Sequence, residues 1–275
     1  MNIVTSPSRP FRGWSIFLWI FLLLAGLLSI AEPLFAGIAA SVFFGWLILF
    51  ARVAPAFLFD LDGTLIDSVY QHVLAWHEAL EEVGFSLGVW RIHRRIGMSG
   101  GLLVQALGRE IGQRLTPEQA GALQERHAAA YEQYRAAILP LPGARELLQQ
   151  LSRAQVPYAI ATSGRREGTQ PALERLGVRP ETPIITRQQV QRAKPGPDLF
   201  LAAAQRLNLP ITRAMVVGHS VWDLLAARRA GCLGIGLLSG GYGKEELEQV
   251  GAYRVYQHPA DLLAHLDEVG VRIVD

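Results

Sequence analysis

The sequence predicts an α/β fold: a Rossmann-like parallel sheet with an all-helical insert after its first strand, preceded by two apolar runs that read as a transmembrane helical hairpin. Three observations carry this. Beyond residue 143, short apolar runs alternate with helical patterns, the signature of a parallel sheet with right-handed crossovers. Residues 68–139 show only helical periodicity. Residues 14–30 and 34–50 are apolar runs of 17 residues each, at the short end of what crosses a bilayer.

Taking the elements in order, Arg9 and Arg12 precede the first apolar run, Glu32 and Pro33 separate the two, and Arg52 follows the second. The positive-inside rule then puts both ends in the cytoplasm and the rest of the chain at the cytoplasmic face of the inner membrane. Two rival readings are a signal peptide cut near Ser29 and Ala31 and a gene start placed too early, which leaves a cytoplasmic chain without residues 1–52. Ala56-Phe57-Leu58-Phe59 reads as a buried strand and Gly63 as its breaker. Val69, Val73, Trp76, Leu80 and Val83 recur at intervals of three and four up to Gly84, predicting the first helix of the insert. Further helices are expected over 102–111 and 117–137. The domains are therefore 1–52, a core made of 53–67 with 140–275, and a helical insert over 68–139, with hinges at Ile66-Asp67 and at 139–143. Such an insert can close over a site as a lid. Helices are then expected over 144–153, 166–176, 197–207, 221–230 and 260–268. The intervening strands are expected at 158–161, 184–185, 214–217, 233–238 and near 253–256.

Composition narrows the partners. The chain has 26 basic and 24 acidic residues. Outside the first 52 residues the two signs balance at 23 each, so no basic surface argues for nucleic acid. Cys232 is the only cysteine, which excludes an intrachain disulfide and suits a small core residue. Only Lys194 and Lys244 are lysines, against 24 arginines. A lysine kept in that background suggests a need for its compact point charge.

Chemistry-bearing residues fall at the predicted strand ends. Asp60 and Asp62 follow the first strand, and carboxylates so close repel unless a cation or a proton relieves them. Magnesium, a hard ion that accompanies phosphate substrates, suits them. Thr162, Ser163 and Gly164 follow the second strand, offering a hydroxyl and backbone N–H groups at a helix start. Lys194 stands among Pro195, Gly196 and Pro197, where its charge can neutralise a carboxylate and phosphoryl oxygens. Gly218-His219-Ser220-Val221-Trp222-Asp223 follows a later strand and brings Asp223 as a further carboxylate.

In order and spacing, Asp60-Leu61-Asp62-Gly63-Thr64-Leu65, Thr162, Lys194 with its prolines, and Gly218 to Asp223 resemble the four motifs of the haloacid dehalogenase superfamily. The resemblance runs from residue 56 onward and is to the helical-cap branch, which includes phosphoglycolate phosphatase and β-phosphoglucomutase. It implies that Asp60 attacks phosphorus to form an aspartyl-phosphate, that Asp62 serves as acid and then base, and that Thr162 and Lys194 hold the phosphoryl oxygens. It also implies a Mg2+ ion held by Asp60, by Asp62 through its carbonyl, and by the last motif. The substrate so implied is a small phosphomonoester, phosphoglycolate first. One departure stands out: His219 occupies a position where an aspartate is usual, so its part as a metal ligand is open and Asp223 has to compensate. A catalytically impaired, membrane-associated phosphate-binding module is the alternative that His219 favours. A sugar-phosphate mutase is another, favoured by His72 ten residues after Asp62 but opposed by Gly100, where the mutases carry an arginine. His72 is expected to position Asp62. Arg94, Arg95, Arg165 and Arg166 are the candidates for gripping an anionic substrate.

Overall fold

The computed structural model describes residues 12–31, 40–44 and 55–271. Met1–Val53 and Ala54–Asp275 are separate compact units. In the first, Arg12–Ala31 forms helix α1 and residues 40–44 are helical (α2), with Phe21 and Phe43 stacked at 5.0 Å. The predicted transmembrane hairpin is not supported: among the described residues no helix is long and apolar enough to cross a membrane. Of the second run only 40–44 is described; Arg9, Glu32 and Arg52 lie outside the described residues. The membrane loses its support as a partner with the hairpin.

The second unit is a six-stranded, wholly parallel sheet of strand order β3-β2-β1-β4-β5-β6. The strands are β1 (Ala56–Phe59), β2 (Tyr158–Ala161), β3 (Ile184–Ile185), β4 (Ala214–Gly218), β5 (Leu233–Leu237) and β6 (Ala252–Tyr256). β1 is covered on both faces, which is why it is a continuous apolar run rather than an alternating one. Phe57 and Phe59 pack with leucines of α7 (Ala144–Arg153), α8 (Arg166–Leu176) and α12 (Pro259–Ala264). Ala56 and Leu58 face the opposite layer, where α9 (Asp198–Arg206) supplies Leu199 and Phe200 and α10 (Val221–Ala230) supplies Ala226 and Ala227. The carboxyl ends of all six strands therefore share one edge, and the strand order reverses between β1 and β4, where such sheets open a crevice.

The insert between β1 and β2 is all-helical: α3 (Val69–Glu81), α4 (Val89–His93), α5 (Gly100–Glu110) and α6 (Pro117–Tyr134). Its own core joins Val69, Val73, Trp76 and Leu80 to Ile92, Leu103, Leu107 and Leu123. Two strands of chain link insert and sheet, and they pair with each other: Asp67 N–H donates to Leu139 O and Leu141 N–H to Leu65 O, both at 2.9 Å. α4 and α11 (Lys244–Gln249) are additions to the predicted set, and the expected last helix is split into α12 and a 3-10 turn over Leu266–Val269.

Candidate active site

The crevice gathers side chains that are far apart in the chain. Asp60 directly follows β1, with its N–H donating to Val217 O of β4 at 2.9 Å. Lys194 comes from the loop before α9, His219 directly follows β4, and Asp223 lies in the first turn of α10. Lys194 is only 1% exposed. Its ammonium pairs with Asp60 Oδ1 and, at 2.8 Å, with Asp223 Oδ1. Burial alone would push the Asp60 carboxyl up, but the Lys194 charge and the His219 hydrogen bond outweigh it and bring it below its ordinary value. The same balance runs in reverse for Lys194, where burial acts downward and the charges of Asp223 and Asp60 raise it. Asp60 is thus a charged, desolvated carboxylate at neutral pH, the state a nucleophile needs.

Asp62 points elsewhere. Its Oδ1 accepts from Ser68 Oγ at 2.7 Å and lies 3.3 Å from His72 Nε2, and His72 Nδ1 lies 3.2 Å from His127 Nε2 of α6. The His72 ring is stacked on Tyr131 at 3.9 Å between centroids and His127 on Trp76 at 4.0 Å. The insert therefore holds the second carboxylate through an aromatic-backed pair of imidazoles. Desolvation acts upward on Asp62, but His72 and Ser68 outweigh it and set its pKa at about 2.

A depressed carboxylate stabilises the fold above its unfolded pKa, and that stability is lost as pH falls through the folded value. A His72→Phe chain keeps the ring but not the donor. It is expected to lose on the order of 1–2 kcal/mol at neutral pH, a deficit that closes as pH falls from about 4 to about 2. Denaturant unfolding at a series of pH values measures it, and parallel curves for the two proteins would contradict the assignment.

A cavity of about 1130 Å³ opens between sheet edge and insert, lined by Asp60, Asp62, Lys194 and His219 from the sheet side and by His72, Trp76, His127 and Tyr131 from the insert. Ser163, Gly164 and Arg165 line it too. Among the described residues Ser163 Oγ is buried there without a hydrogen-bond partner, and Arg165 is exposed at the start of α8 with no ion pair. Four of the expected substrate contacts are not in the lining. Thr162 is fully buried and its Oγ1 accepts from Gly164 N–H at 3.0 Å, so it shapes the loop that carries Ser163. Arg95 is tied to Glu110 within the insert, and Arg94 to Glu246, with its guanidinium 4.5 Å over the Tyr242 ring. Arg166 is exposed, and its N–H donates to Gln188 Oε1 at 3.1 Å. Local carboxylates thus use up arginine charge that spacing alone left free.

His219 fills the remaining side of Asp60. Its Nδ1 is 3.2 Å from Asp60 Oδ2 and 3.7 Å from Asp223 Oδ2. Two glycines make room for the ring: a Cβ at Gly240 would overlap His219 Cδ2, and one at Gly63, in a turn with φ +71°, would come within 2.8 Å of His219 Cγ. Asp60, His219 and Asp223 are all buried, and their ligand atoms lie within 4.8 Å of one another. Two carboxylates and an imidazole in that space fit a divalent cation. Asp62, expected to reach the metal through its backbone carbonyl, turns its carboxylate to Ser68 and His72 instead.

Several contributors have roles that the sequence pattern does not assign, although Thr64 and Ser220 lie within the motifs. Thr64 Oγ1 bridges Asp60 Oδ2 and His219 Nδ1 at 3.4 Å each. Ser220 caps α10 and holds Asp223 Oδ2 through its Oγ at 2.6 Å and its N–H at 3.1 Å. Ser68 precedes α3 and looks like an ordinary helix cap, yet its hydroxyl is spent on Asp62.

The arrangement has known counterparts. The pattern of the haloacid dehalogenase-like hydrolases matches residues 54–231. The chain is 32% identical to the validoxylamine A 7'-phosphate phosphatase of Streptomyces hygroscopicus over 191 residues, covering 66% of this chain and 84% of that protein. It is 30% identical to a phosphoglycolate phosphatase of Vibrio vulnificus over 221 residues, covering 77% and 93%. The crystal structure of a hydrolase from Pseudomonas syringae superposes with a TM-score of 0.77 at 51% identity, covering 79% of this chain and all of that one. With an ionised aspartate on a buried lysine at the carboxyl end of β1, a helical insert over it and this match, the chain belongs to the haloacid dehalogenase-like hydrolase family.

Proposed function

We propose that the chain hydrolyses a small phosphomonoester through an aspartyl-phosphate on Asp60. The observation that carries this is the placement of Asp60, Lys194 and Asp62 on one cavity, with both carboxylates ionised by their surroundings. In the first step an Asp60 carboxylate oxygen bonds to phosphorus as the P–O bond to the alcohol breaks, and Asp62 delivers a proton to the departing oxygen. In the second, Asp62 takes a proton from water, whose oxygen bonds to phosphorus as the bond to Asp60 breaks. A pKa of about 2 leaves Asp62 without that first proton before substrate binds. A phosphoryl dianion alongside raises it by like-charge repulsion, so a substrate that enters as the monoanion brings the proton it needs.

Lys194 and the Ser163-Gly164 loop supply the phosphoryl contacts, and Arg165 adds a cation at the rim. A divalent cation on Asp60, Asp223 and His219, magnesium by the family pattern, supplies further neutralisation of phosphoryl charge when bound. His72, held by His127 and Tyr131, keeps the Asp62 carboxylate aimed as the insert closes and excludes water.

Phosphoglycolate would fill only part of the cavity. A cavity of about 1130 Å³ exceeds the ~300–1,000 Å³ of ordinary small-molecule sites, which also leaves room for sugar or polyol phosphates. A screen of phosphoglycolate, hexose phosphates and polyol phosphates, with the full chain and a divalent cation, is expected to show phosphate release that a chelator abolishes. No release from any ester by the wild-type chain or by a His219→Asp chain would reject the proposal. Release from the His219→Asp chain alone would instead make the natural protein a phosphate-binding module.

A further inference from the structure

The two buried carboxylates of the site divide their edges. Lys194 takes Oδ1 of Asp60 and Oδ1 of Asp223. The Oδ2 atoms of the same residues turn to His219 Nδ1, at 3.2 and 3.7 Å. Ligands bound at about 2.1 Å stand about 3.0 Å apart along an octahedral edge and about 3.4 Å apart in a tetrahedron. The His219–Asp60 spacing lies within that span, and the His219–Asp223 spacing exceeds it by only a few tenths of an ångström. Among the described residues His219 Nε2 is buried without a hydrogen-bond partner, so the polar contacts of the imidazole there are confined to Nδ1 and this cluster. The supports around it are also in place, since Ser220 holds Asp223 Oδ2 and Thr64 touches both Asp60 Oδ2 and His219 Nδ1. Groups that orient metal ligands in this way contribute to affinity themselves.

Magnesium is a hard ion that takes oxygen ligands and keeps much of its water. Imidazole nitrogen instead suits the first-row transition ions, whose affinity for a given nitrogen and oxygen site climbs from manganese towards copper. We infer that the Asp60, Asp223 and His219 site selects a first-row divalent transition ion, in the range of Mn2+ to Zn2+, over Mg2+. This rests on the reading of the crevice as the catalytic centre and changes the ion that centre takes. His219 Nδ1 is then a direct ligand, and its position in the chain is a device of metal selection rather than a lesion.

The test uses the full chain stripped of metal by a chelator, with Mn2+ as the probe. Loss of the free-ion electron paramagnetic resonance signal reports Mn2+ binding, Mg2+ added as competitor reports preference, and pulsed resonance on the bound ion reports a coupled nitrogen. The wild-type chain is expected to bind Mn2+ with nitrogen coupling and to resist displacement until Mg2+ is in about 100-fold excess. His219→Asp is expected to abolish the nitrogen coupling and to lower the Mn2+ to Mg2+ preference by about tenfold or more. Failure of the wild-type chain to bind Mn2+, absence of nitrogen coupling in it, or equal competition by Mg2+ would each overturn the inference, whether or not the variant folds. None of these readouts uses turnover. A metal-loaded chain that hydrolyses no ester would reject the phosphatase proposal and leave the metal result intact.

Discussion

An Asp60→Asn chain is expected to release phosphate at least about 10⁴-fold more slowly than the natural chain, because an amide cannot form the covalent intermediate. The substitution keeps size and shape, and its carbonyl oxygen still accepts from Lys194, whose other partner, Asp223, stays at 2.8 Å. The fold is therefore retained, and the kinetic loss can be read without a stability correction once unfolding curves for the two proteins have been compared. What distinguishes Asp60 from the other buried carboxylate is access. Asp60 lines the cavity, while Asp223 is fully buried and spends its Oδ2 on Ser220. Turnover of the variant within tenfold of the natural chain would move the nucleophile elsewhere.

The second large effect is on stability. Lys194→Met fills similar space without charge and leaves Asp60 and Asp223 facing each other in a buried site. Breaking a buried ion pair by removing one partner costs about 3–5 kcal/mol, because the surviving charge is uncompensated. Lys194 holds two carboxylates while 1% exposed, so the upper part of that range is expected. A divalent cation is expected to restore part of the loss, since it would neutralise the same carboxylates from the His219 side, and the recovery should scale with ion concentration as binding to the folded state requires. Denaturant unfolding with Mn2+ or with a chelator measures both terms. A Lys194→Met chain as stable as the natural one, or one indifferent to the cation, would show that the carboxylates are not charged as described.

How far the sequence reaches can be seen residue by residue. Asp60 and Asp62 are legible because strand, carboxylates and breaker are contiguous over residues 56–63, and local sequence alone places them at a strand end. Lys194 is legible from composition, as one of two lysines among 24 arginines. The class of the sheet is legible from alternation, whereas its strand order is seen only in the structure, because right-handed crossovers are compatible with several orders. Arg95 is outside the cavity lining and pairs with Glu110, the last residue of α5, a partner that local sequence does not point to. His127 is invisible because its significance is a contact with His72 across two helices, and α6 is otherwise a mostly polar helix with few buried positions. α4 and α11 span five and six residues, too short for helical periodicity to register. The transmembrane reading is not supported: hydrophobicity is plain in the sequence, but among the described residues no helix is long and apolar enough to cross a membrane.

The central claim is a covalent phosphoryl intermediate on Asp60, and mass spectrometry of the Asp60 peptide after rapid acid quench tests it most directly. During turnover of a phosphomonoester with a divalent cation, the account predicts a phosphoryl adduct on Asp60 that forms at least as fast as phosphate is released and is absent from Asp60→Asn. Steady phosphate release with an unmodified Asp60, or an adduct on another residue, would contradict it.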